Sequence, residues 1–190
     1  MNEFERMAEL LLGHIDKDPD YYENLYPARN LPEGARVVRI APSPTGYLHL
    51  GTLFMALVNR ITADSTSGVF YTRIEDTDKK REVEGGIDDI INGLIRFGIN
   101  IDEGFVTPTE QKGNYGPYKQ SERAEIYQCF AKKLIKEGYA YPCFCTAEEL
   151  AQVREEQEKN KIRTGYHGEY AVHRNITADE AKALIDEGKP

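Results

Sequence analysis

The sequence is poor in cysteine, with three among 190 residues. Two of them form the tripeptide Cys143-Phe-Cys145. So small and odd a number excludes a disulfide framework and is typical of reduced thiols or of a metal site. No apolar run of about 18 residues occurs, and the acidic amino terminus lacks the pattern of a secretory signal. These absences predict a cytoplasmic protein that does not associate with membranes.

Basic residues are also in the minority, since 24 Lys and Arg face 32 Asp and Glu, for a net charge of −8. Nonspecific binding to nucleic acid depends on a basic face. Charge alone therefore argues against an RNA partner, and evidence for one has to come from motifs. Hydrophobic residues make up 40% of the sequence, which is enough for a packed core.

The spacing of apolar residues predicts strands that alternate with helices from Val37 onward. Strands are expected at 37–41, 69–75, 99–102 and 139–145, and helices at 50–64, 82–97, 121–138 and after the capping boxes Thr146–Glu149 and Thr177–Glu180. This order indicates an α/β fold with helices on both faces of a mostly parallel sheet, which binds ligands at the carboxyl ends of its strands. Residues 1–36 are expected to form an extension packed on this domain, with no assigned function.

One strand end carries an unusual loop, RIAPSPTGYLHLGT, at residues 39–52. Its prolines predict a rigid loop, and a helix is expected to begin near His49 with its free N–H groups and positive dipole facing an anion. Gly46 and Gly51 permit close approach of a phosphate, and His49 can donate a hydrogen bond to a phosphoryl oxygen. The alternative is a simple connector in which the histidine is an ordinary helix cap.

Two opposite charges are expected beside this loop, Arg39 in the first strand and Glu75 after the second. An amino acid with an acidic side chain needs a cation for that carboxylate and an anion for its ammonium group, and arginine offers a bidentate fork. Arg39 and Glu75 suit these two tasks. The alternative is a structural ion pair between them, which is the more common arrangement for an isolated arginine and glutamate.

Several motifs together resemble a known family. The segments RIAPSPTGYLHLGT, RIEDTD, FGINIDEG, YKQSERAEIY and YPCFCTAEEL are similar to the N-terminal part of the bacterial glutamyl-tRNA synthetases, which are class I aminoacyl-tRNA synthetases. The resemblance implies the first half of a Rossmann-type catalytic domain at 37–118 and the start of an α+β acceptor-stem-binding insertion at 119–190. It also implies that L-glutamate is activated with ATP and Mg²⁺ and that the tRNA acceptor stem is bound. We expect a monomer.

The same resemblance implies the residues that bind ATP. The segment HLGT matches the His-x-Gly signature of the family, so Thr45, Gly46, His49 and Gly51 are expected at the ATP, with His49 and Thr45 as catalytic residues. Thr52 stands where many class I enzymes have a second histidine.

The residues that bind the amino acid follow from the same matching. Arg39 is expected to bind the side-chain carboxylate of glutamate and Glu75 its ammonium group, which are the tasks that their charges suggest. Ala41 and Ser43 are expected to line the pocket. No metal ligand is assigned among these residues.

A zinc site is a separate question. Some relatives hold zinc through a Cys-x-Cys pair and later Tyr, Cys or His groups; Cys143, Cys145 and Tyr166 fit this pattern, whereas Tyr170 stands where the next cysteine is expected. Two histidines are candidates to replace it, namely His167 and His173. The set is incomplete in the sequence, so the alternative of small buried cysteines stays open.

Class I synthetases close the ATP site with a lysine-rich KMSKS-type loop, which does not occur among these 190 residues. The resemblance therefore implies an N-terminal fragment that does not aminoacylate tRNA alone. Three other functions share parts of the pattern: a glutamyl-queuosine-type tRNA-modifying paralogue, a nucleotidylyltransferase, and a noncatalytic RNA- or protein-binding module. The stretches KKREVEGG and GPYKQSER favour the synthetase over the paralogue, and Arg39 with Glu75 disfavours the nucleotidylyltransferase.

Overall fold

The computed structural model describes residues 1–189. The chain packs as two compact units. We name them the sheet unit, Tyr22–Ile126, and the helical unit, Met1–Tyr21 together with the chain from Tyr127 onward. The expected domains, 1–36, 37–118 and 119–190, divide the sequence differently and stay predictions. No helix among the described residues is both long and apolar enough to cross a membrane.

Helices and strands alternate over much of the chain. The helices are α1 (Glu3–Leu12), α2 (Pro19–Leu25), α3 (Leu50–Ser65), α4 (Gly86–Arg96), α5 (Ala124–Lys136), α6 (Ala147–Lys159) and α7 (Ala178–Asp186). The strands are β1 (Val37–Ile40), β2 (Val69–Thr72), β3 (Gly104–Phe105) and β4 (Gln111–Lys112). Short 3₁₀ turns occupy Ser121–Arg123 and Gly168–Tyr170.

The sheet unit is organised by a strand–helix–strand segment. β1 and β2 pair in parallel, with Arg39 opposite Tyr71, and α3 connects them. Side chains alternate along each strand, so Ile40 and Phe70 enter the core while Arg39 and Tyr71 lie on the opposite face. The core is completed mainly by α4, through Ile90, Ile91 and Leu94. The predicted α/β class with parallel pairing is confirmed.

The third strand was predicted at 99–102, and that position is wrong. Glu103 forms the parallel bridge opposite Tyr71. The Asp102 carboxylate accepts the hydrogen bond of the Phe70 N–H at 2.8 Å, a bond that the carbonyl of a ladder residue would otherwise accept. β3 and β4 then form a short antiparallel pair where the sequence predicts a loop.

Helix α4 begins four residues later than the predicted start at 82. Gly85 precedes it with φ of 74°, and the Val83 N–H is bonded to the Pro44 carbonyl at 2.8 Å rather than to a helical partner. The predicted end is confirmed, because Gly98 follows the helix with φ of 69°.

The helical unit packs α1 against α7. Its core consists of Met7, Ala8, Ile135, Phe144, Ala178 and Ala181. Both predicted capping boxes are present, at Thr146–Glu149 and Thr177–Glu180. The strand predicted at 139–145 is wrong, because Pro142 offers no N–H and the Phe144 N–H donates to the side chain of His173 instead of to a neighbouring strand.

Candidate functional site

The loop between β1 and α3 is fixed by hydrogen bonds to its neighbours. These bonds are Glu75 N–H to Pro42 O at 3.0 Å, Val83 N–H to Pro44 O at 2.8 Å, and Leu48 N–H to Asp89 Oδ2 at 2.8 Å. Pro44 is buried. Two of the three acceptors are backbone carbonyls, so the shape of this loop depends little on the side chains that face solvent.

Helix α3 begins directly after His49, as expected, and the His49 side chain caps it, which is the arrangement of the alternative interpretation. The His49 Nδ1 accepts a hydrogen bond from the Thr52 N–H at 3.3 Å, which places the ring proton on Nε2, 3.2 Å from Thr52 Oγ1. A Cβ at Gly51 would lie 3.1 Å from the imidazole, closer than ordinary contact. The His49 ring therefore lies over Gly51, and its contacts with Thr52 hold it there.

A cavity of about 350 Å³ opens between this loop and the start of α3. Four of the predicted site residues line it, namely Ser43, Thr45, Gly46 and His49. A Cβ at Gly46 would meet nothing within 4 Å, so packing within the chain does not require glycine there. Ala41 and Gly51 are not among the lining residues, and no lining residue carries a carboxylate.

Arg39 and Glu75 meet beside the loop. Arg39 Nη1 lies 3.2 Å from Glu75 Oε1, and Arg73 Nη2 lies 3.3 Å from the same oxygen. The side chains of Arg39 and Glu75 are 39% and 31% exposed, so solvent reaches the pair. The ion pair considered as an alternative is thus present in this structure, and neither residue lines the cavity beside His49.

The turn after Glu75 is fixed by a buried carboxylate. Asp76 is 3% exposed. It accepts hydrogen bonds from the Ser121 N–H at 2.9 Å and the Ser121 hydroxyl at 2.6 Å. Burial acts to raise the pKa of Asp76, but the bonds from Ser121 outweigh it and the pKa is lowered.

The helical unit brings a second group of predicted residues together. The ligand atoms of Cys143, Cys145 and His173 lie within 4.8 Å of one another. The Tyr166 hydroxyl joins them, 3.9 Å from Cys145 Sγ and 3.3 Å from His173 Nδ1. His167 lies outside this group, with its Nε2 donating to the Arg163 carbonyl at 2.8 Å. Of the two histidines considered in place of Tyr170, His173 is the one in position.

Comparison with known proteins decides the family. The profile described as tRNA synthetases class I (E and Q), catalytic domain, matches residues 36–190. This chain belongs to that family. Similar glutamate–tRNA ligases of the class I synthetases include those of Clostridium beijerinckii, 54% identical, and Clostridium perfringens, 50% identical, each over 186 residues. Both alignments cover 98% of this chain and 34% of the relative, so the chain spans about a third of their length.

Solved synthetase structures have a similar fold. A glutamate-tRNA synthetase from Elizabethkingia anophelis superimposes with a TM-score of 0.72 at 39% identity, over 82% of this chain and 32% of that chain. A glutamate tRNA ligase from Elizabethkingia meningosepticum, solved in complex with its amino acid, gives a TM-score of 0.70 at 39% identity, over 81% and 31% of the two chains. The Rossmann-type class I fold expected from the motifs agrees with both.

Two residues that shape this synthetase site escaped the sequence analysis. Asp89 lies in the first turn of α4 and fixes the Leu48 N–H, and Arg73 shares the Glu75 carboxylate with Arg39. Arg73 precedes Glu75 by two residues, so strand alternation places both side chains on one face and could have indicated the contact. No local signal links Asp89 to a loop 41 residues earlier.

Proposed function

We propose that the protein to which this chain belongs activates L-glutamate with ATP and transfers the glutamyl group to the 3′-terminal adenosine of tRNA. The observation that carries this proposal is the half-exposed Arg39–Glu75 pair beside the carboxyl ends of two parallel strands. The family match and the glutamate–tRNA ligases among the relatives support it.

The reaction has two steps. An oxygen of the α-carboxylate of glutamate attacks the α-phosphorus of ATP, and the bond from that phosphorus to the pyrophosphate oxygen breaks, giving glutamyl-adenylate and pyrophosphate. A ribose hydroxyl of the terminal adenosine of tRNA then attacks the activated carbonyl, loses its proton, and releases AMP. Neither step needs an enzyme nucleophile, so the protein contributes positioning and charge stabilisation.

Glutamate binding exchanges the partners of one ion pair. The side-chain carboxylate of the substrate takes the place of Glu75 on Arg39, and the substrate ammonium group takes the place of Arg39 on Glu75, with Ala41 and Ser43 beside them. An ion pair this exposed contributes only about 0–1 kcal/mol, so opening it costs little. Arg73 stays on Glu75 throughout and keeps that carboxylate in place.

The ATP phosphates bind at the cavity beside α3. Thr45, Gly46 and the His49 imidazole lie at this cavity, and Gly51 leaves room for the ring; to donate to a phosphate oxygen, the Nε2–H of His49 exchanges Thr52 Oγ1 for that oxygen. The free N–H groups at the start of α3 add a partial positive charge. Mg²⁺, when bound, would neutralise phosphate charge, and none of the described residues that line the cavity carries a carboxylate to hold it.

A zinc ion in the helical unit is the second part of the proposal. Cys143, Cys145 and His173 supply two thiolates and an imidazole within 4.8 Å, and the Tyr166 oxygen is positioned as a fourth donor. This donor set suits Zn²⁺, which binds sulfur and nitrogen ligands tetrahedrally. Binding of the tRNA acceptor stem by residues 119–190 and a monomeric state complete the proposal.

Glutamate-dependent exchange between ATP and pyrophosphate tests the proposed activation step. The assay uses the full-length protein with total bacterial tRNA present. We expect Glu75→Gln to lower kcat/KM for glutamate by about 100-fold or more, since the ammonium group of the bound substrate, shielded from water, loses its charged partner at a cost of about 2–5 kcal/mol, while the KM for ATP changes little. The matched control is Glu84→Gln, an exposed carboxylate of the same unit, which should match the unmodified protein. Exchange that proceeds equally without glutamate would indicate a nucleotidylyltransferase instead.

A further inference from the structure

A second cavity of the sheet unit lies among arginine and tyrosine side chains. It encloses about 280 Å³. The lining residues that matter here are Tyr26, Arg29, Tyr71, Arg73, Tyr115 and Arg123. Tyr26 and Arg29 belong to segment 1–36, to which the sequence analysis assigns no function. Neither Arg39 nor Glu75 lines this cavity, although Arg73, which does, also bonds Glu75.

One wall of the cavity is rigid and electrically neutral. Arg29 donates from Nη1 and Nη2 to the two carboxylate oxygens of Glu103, at 2.5 and 2.6 Å. The Arg29 guanidinium also lies 3.6 Å from the centre of the Tyr115 ring, which stacks on Tyr26 with ring centres 6.3 Å apart. Paired and stacked in this way, these side chains form a preorganised surface.

The remaining arginines carry positive charge in excess. Arg73 and Arg39 share the single carboxylate of Glu75. Arg123 pairs with no carboxylate among residues 1–189, and its Nη1 donates to the Pro117 carbonyl at 2.9 Å. Among the residues that line the cavity, three guanidinium groups, those of Arg29, Arg73 and Arg123, face the single carboxylate of Glu103, in a chain whose net charge is −8.

Two donors of this cluster are buried without an acceptor. The Nε atoms of Arg73 and Arg123 have no hydrogen-bond partner among the described residues. A buried N–H of a charged group that lacks an acceptor is costly, so such groups mark places where an acceptor binds. A third such atom, Arg60 Nε, belongs to a guanidinium that already pairs with two carboxylates. Among the described residues, Arg73 and Arg123 are the two that combine a buried Nε–H lacking an acceptor with a place in the lining of this cavity.

We propose that this cavity binds a small oxyanion, a phosphate or carboxylate group, between Arg73 and Arg123 and against the wall formed by Arg29 and Tyr26. Guanidinium groups form strong charge-assisted hydrogen bonds with both groups. A cavity of about 280 Å³ is near the lower end of the sizes of small-molecule sites, which suits a small anionic metabolite. Segment 22–36 then has a function, because it closes the cavity.

A titration followed by NMR tests this binding on the 190-residue chain. Inorganic phosphate and succinate are the two probes, each added at an ionic strength held constant with sodium chloride. We expect the Nε–H resonances of Arg73 and Arg123 to shift and saturate with a Kd of about 1 mM for at least one probe. The proposal is overturned if neither probe shifts these resonances, or if sodium chloride alone shifts them as much as the probes do.

Matched variants localise the effect. Arg123→Gln should weaken binding by at least about tenfold, whereas Arg81→Gln, an exposed arginine of the same unit, should leave it unchanged. Arg39→Gln should also leave it unchanged; loss of binding in that variant would place the anion in the neighbouring glutamate site and contradict the proposal. If Arg123→Gln does not fold, Arg73→Gln and the titration of the unmodified chain still decide.

Discussion

The two units of this chain position their candidate sites in different ways. In the sheet unit, backbone hydrogen bonds to Pro42 and Pro44 and the cap of α3 fix the loop that carries His49. In the helical unit, contacts that each involve a side chain bring Cys143, Cys145 and His173 together, between segments that form neither helix nor strand at those positions. The first site is therefore preorganised by the fold, whereas the second depends on what its side chains bind.

The largest loss of stability is expected from a substitution that blocks a close backbone contact in the sheet unit. Gly104 has φ of 95°, and a Cβ there would lie 2.1 Å from the Thr72 carbonyl oxygen. Backbone strain and overlap each cost about 1–3 kcal/mol, so Gly104→Ala should lower the free energy of unfolding by about 3 kcal/mol or more. Chemical denaturation measures the loss. The control Gly46→Ala meets open space and should change it by less than about 0.5 kcal/mol.

Metal binding tests the candidate site of the helical unit. Zinc at 100 times its Kd should stabilise the chain by about 2.7 kcal/mol, which a melting curve with and without a chelator detects. His173→Ala should weaken zinc binding by at least about tenfold, while His167→Ala, whose ring lies outside the cluster, should behave like the unmodified chain. Equal responses of these two variants would rule out His173 as a ligand.

The stabilisation by the buried carboxylate of the sheet unit should depend more strongly on pH than the stabilisation by an exposed one. The pKa of Asp76 is lowered in the folded chain, so its stabilisation is present above its ordinary pKa of 3.8 and is lost as pH falls through the folded value. Ser121→Ala should cost about 1–2 kcal/mol at pH 7 and progressively less below pH 3.8. Chemical denaturation at several pH values across this range measures the cost of Ser121→Ala. The control is Thr177→Ala, in the exposed capping box of α7, whose cost should depend less on pH. A cost from Ser121→Ala that is independent of pH would contradict this explanation.

The smallest expected effect on stability concerns the His49 ring. Gly51→Ala should change the free energy of unfolding by less than about 1 kcal/mol, because alanine favours the helix while its Cβ presses on the imidazole at 3.1 Å. It should nevertheless weaken ATP binding in the full-length protein, because the ring has to move. Unchanged ATP affinity, measured by calorimetry, would show that the orientation of His49 does not matter.

Local patterns predicted the parts of the fold that depend on local chemistry. The start of α3 after His49, the end of α4 before Gly98 and both capping boxes were all correct. The strands predicted at 99–102 and 139–145 were wrong because side chains, instead of the carbonyls of a neighbouring strand, accept backbone hydrogen bonds there. The Asp102 carboxylate accepts from the Phe70 N–H, and the His173 ring accepts from the Phe144 N–H. Apolar spacing carries no information about such substitutions.

The motifs predicted residues of the candidate site but not the contacts among them. Matching motifs identified Arg39, Glu75 and His49, and the structure brings Arg39 to Glu75 and lines a separate cavity with His49. The contribution of Arg73 and the cavity between Arg73 and Arg123 depend on contacts between distant residues, such as Arg29 with Glu103, 74 positions apart. Spacing along one sequence does not reveal these.

The charging of total bacterial tRNA with labelled glutamate by the full-length protein tests the central claim most directly. The account predicts charging that Arg39→Ala lowers by about 100-fold or more, as expected when a substrate carboxylate loses its guanidinium partner. The exposed control Arg96→Ala should charge normally. No charging by the unmodified protein, or full charging by Arg39→Ala, would contradict the assignment of this pair to glutamate.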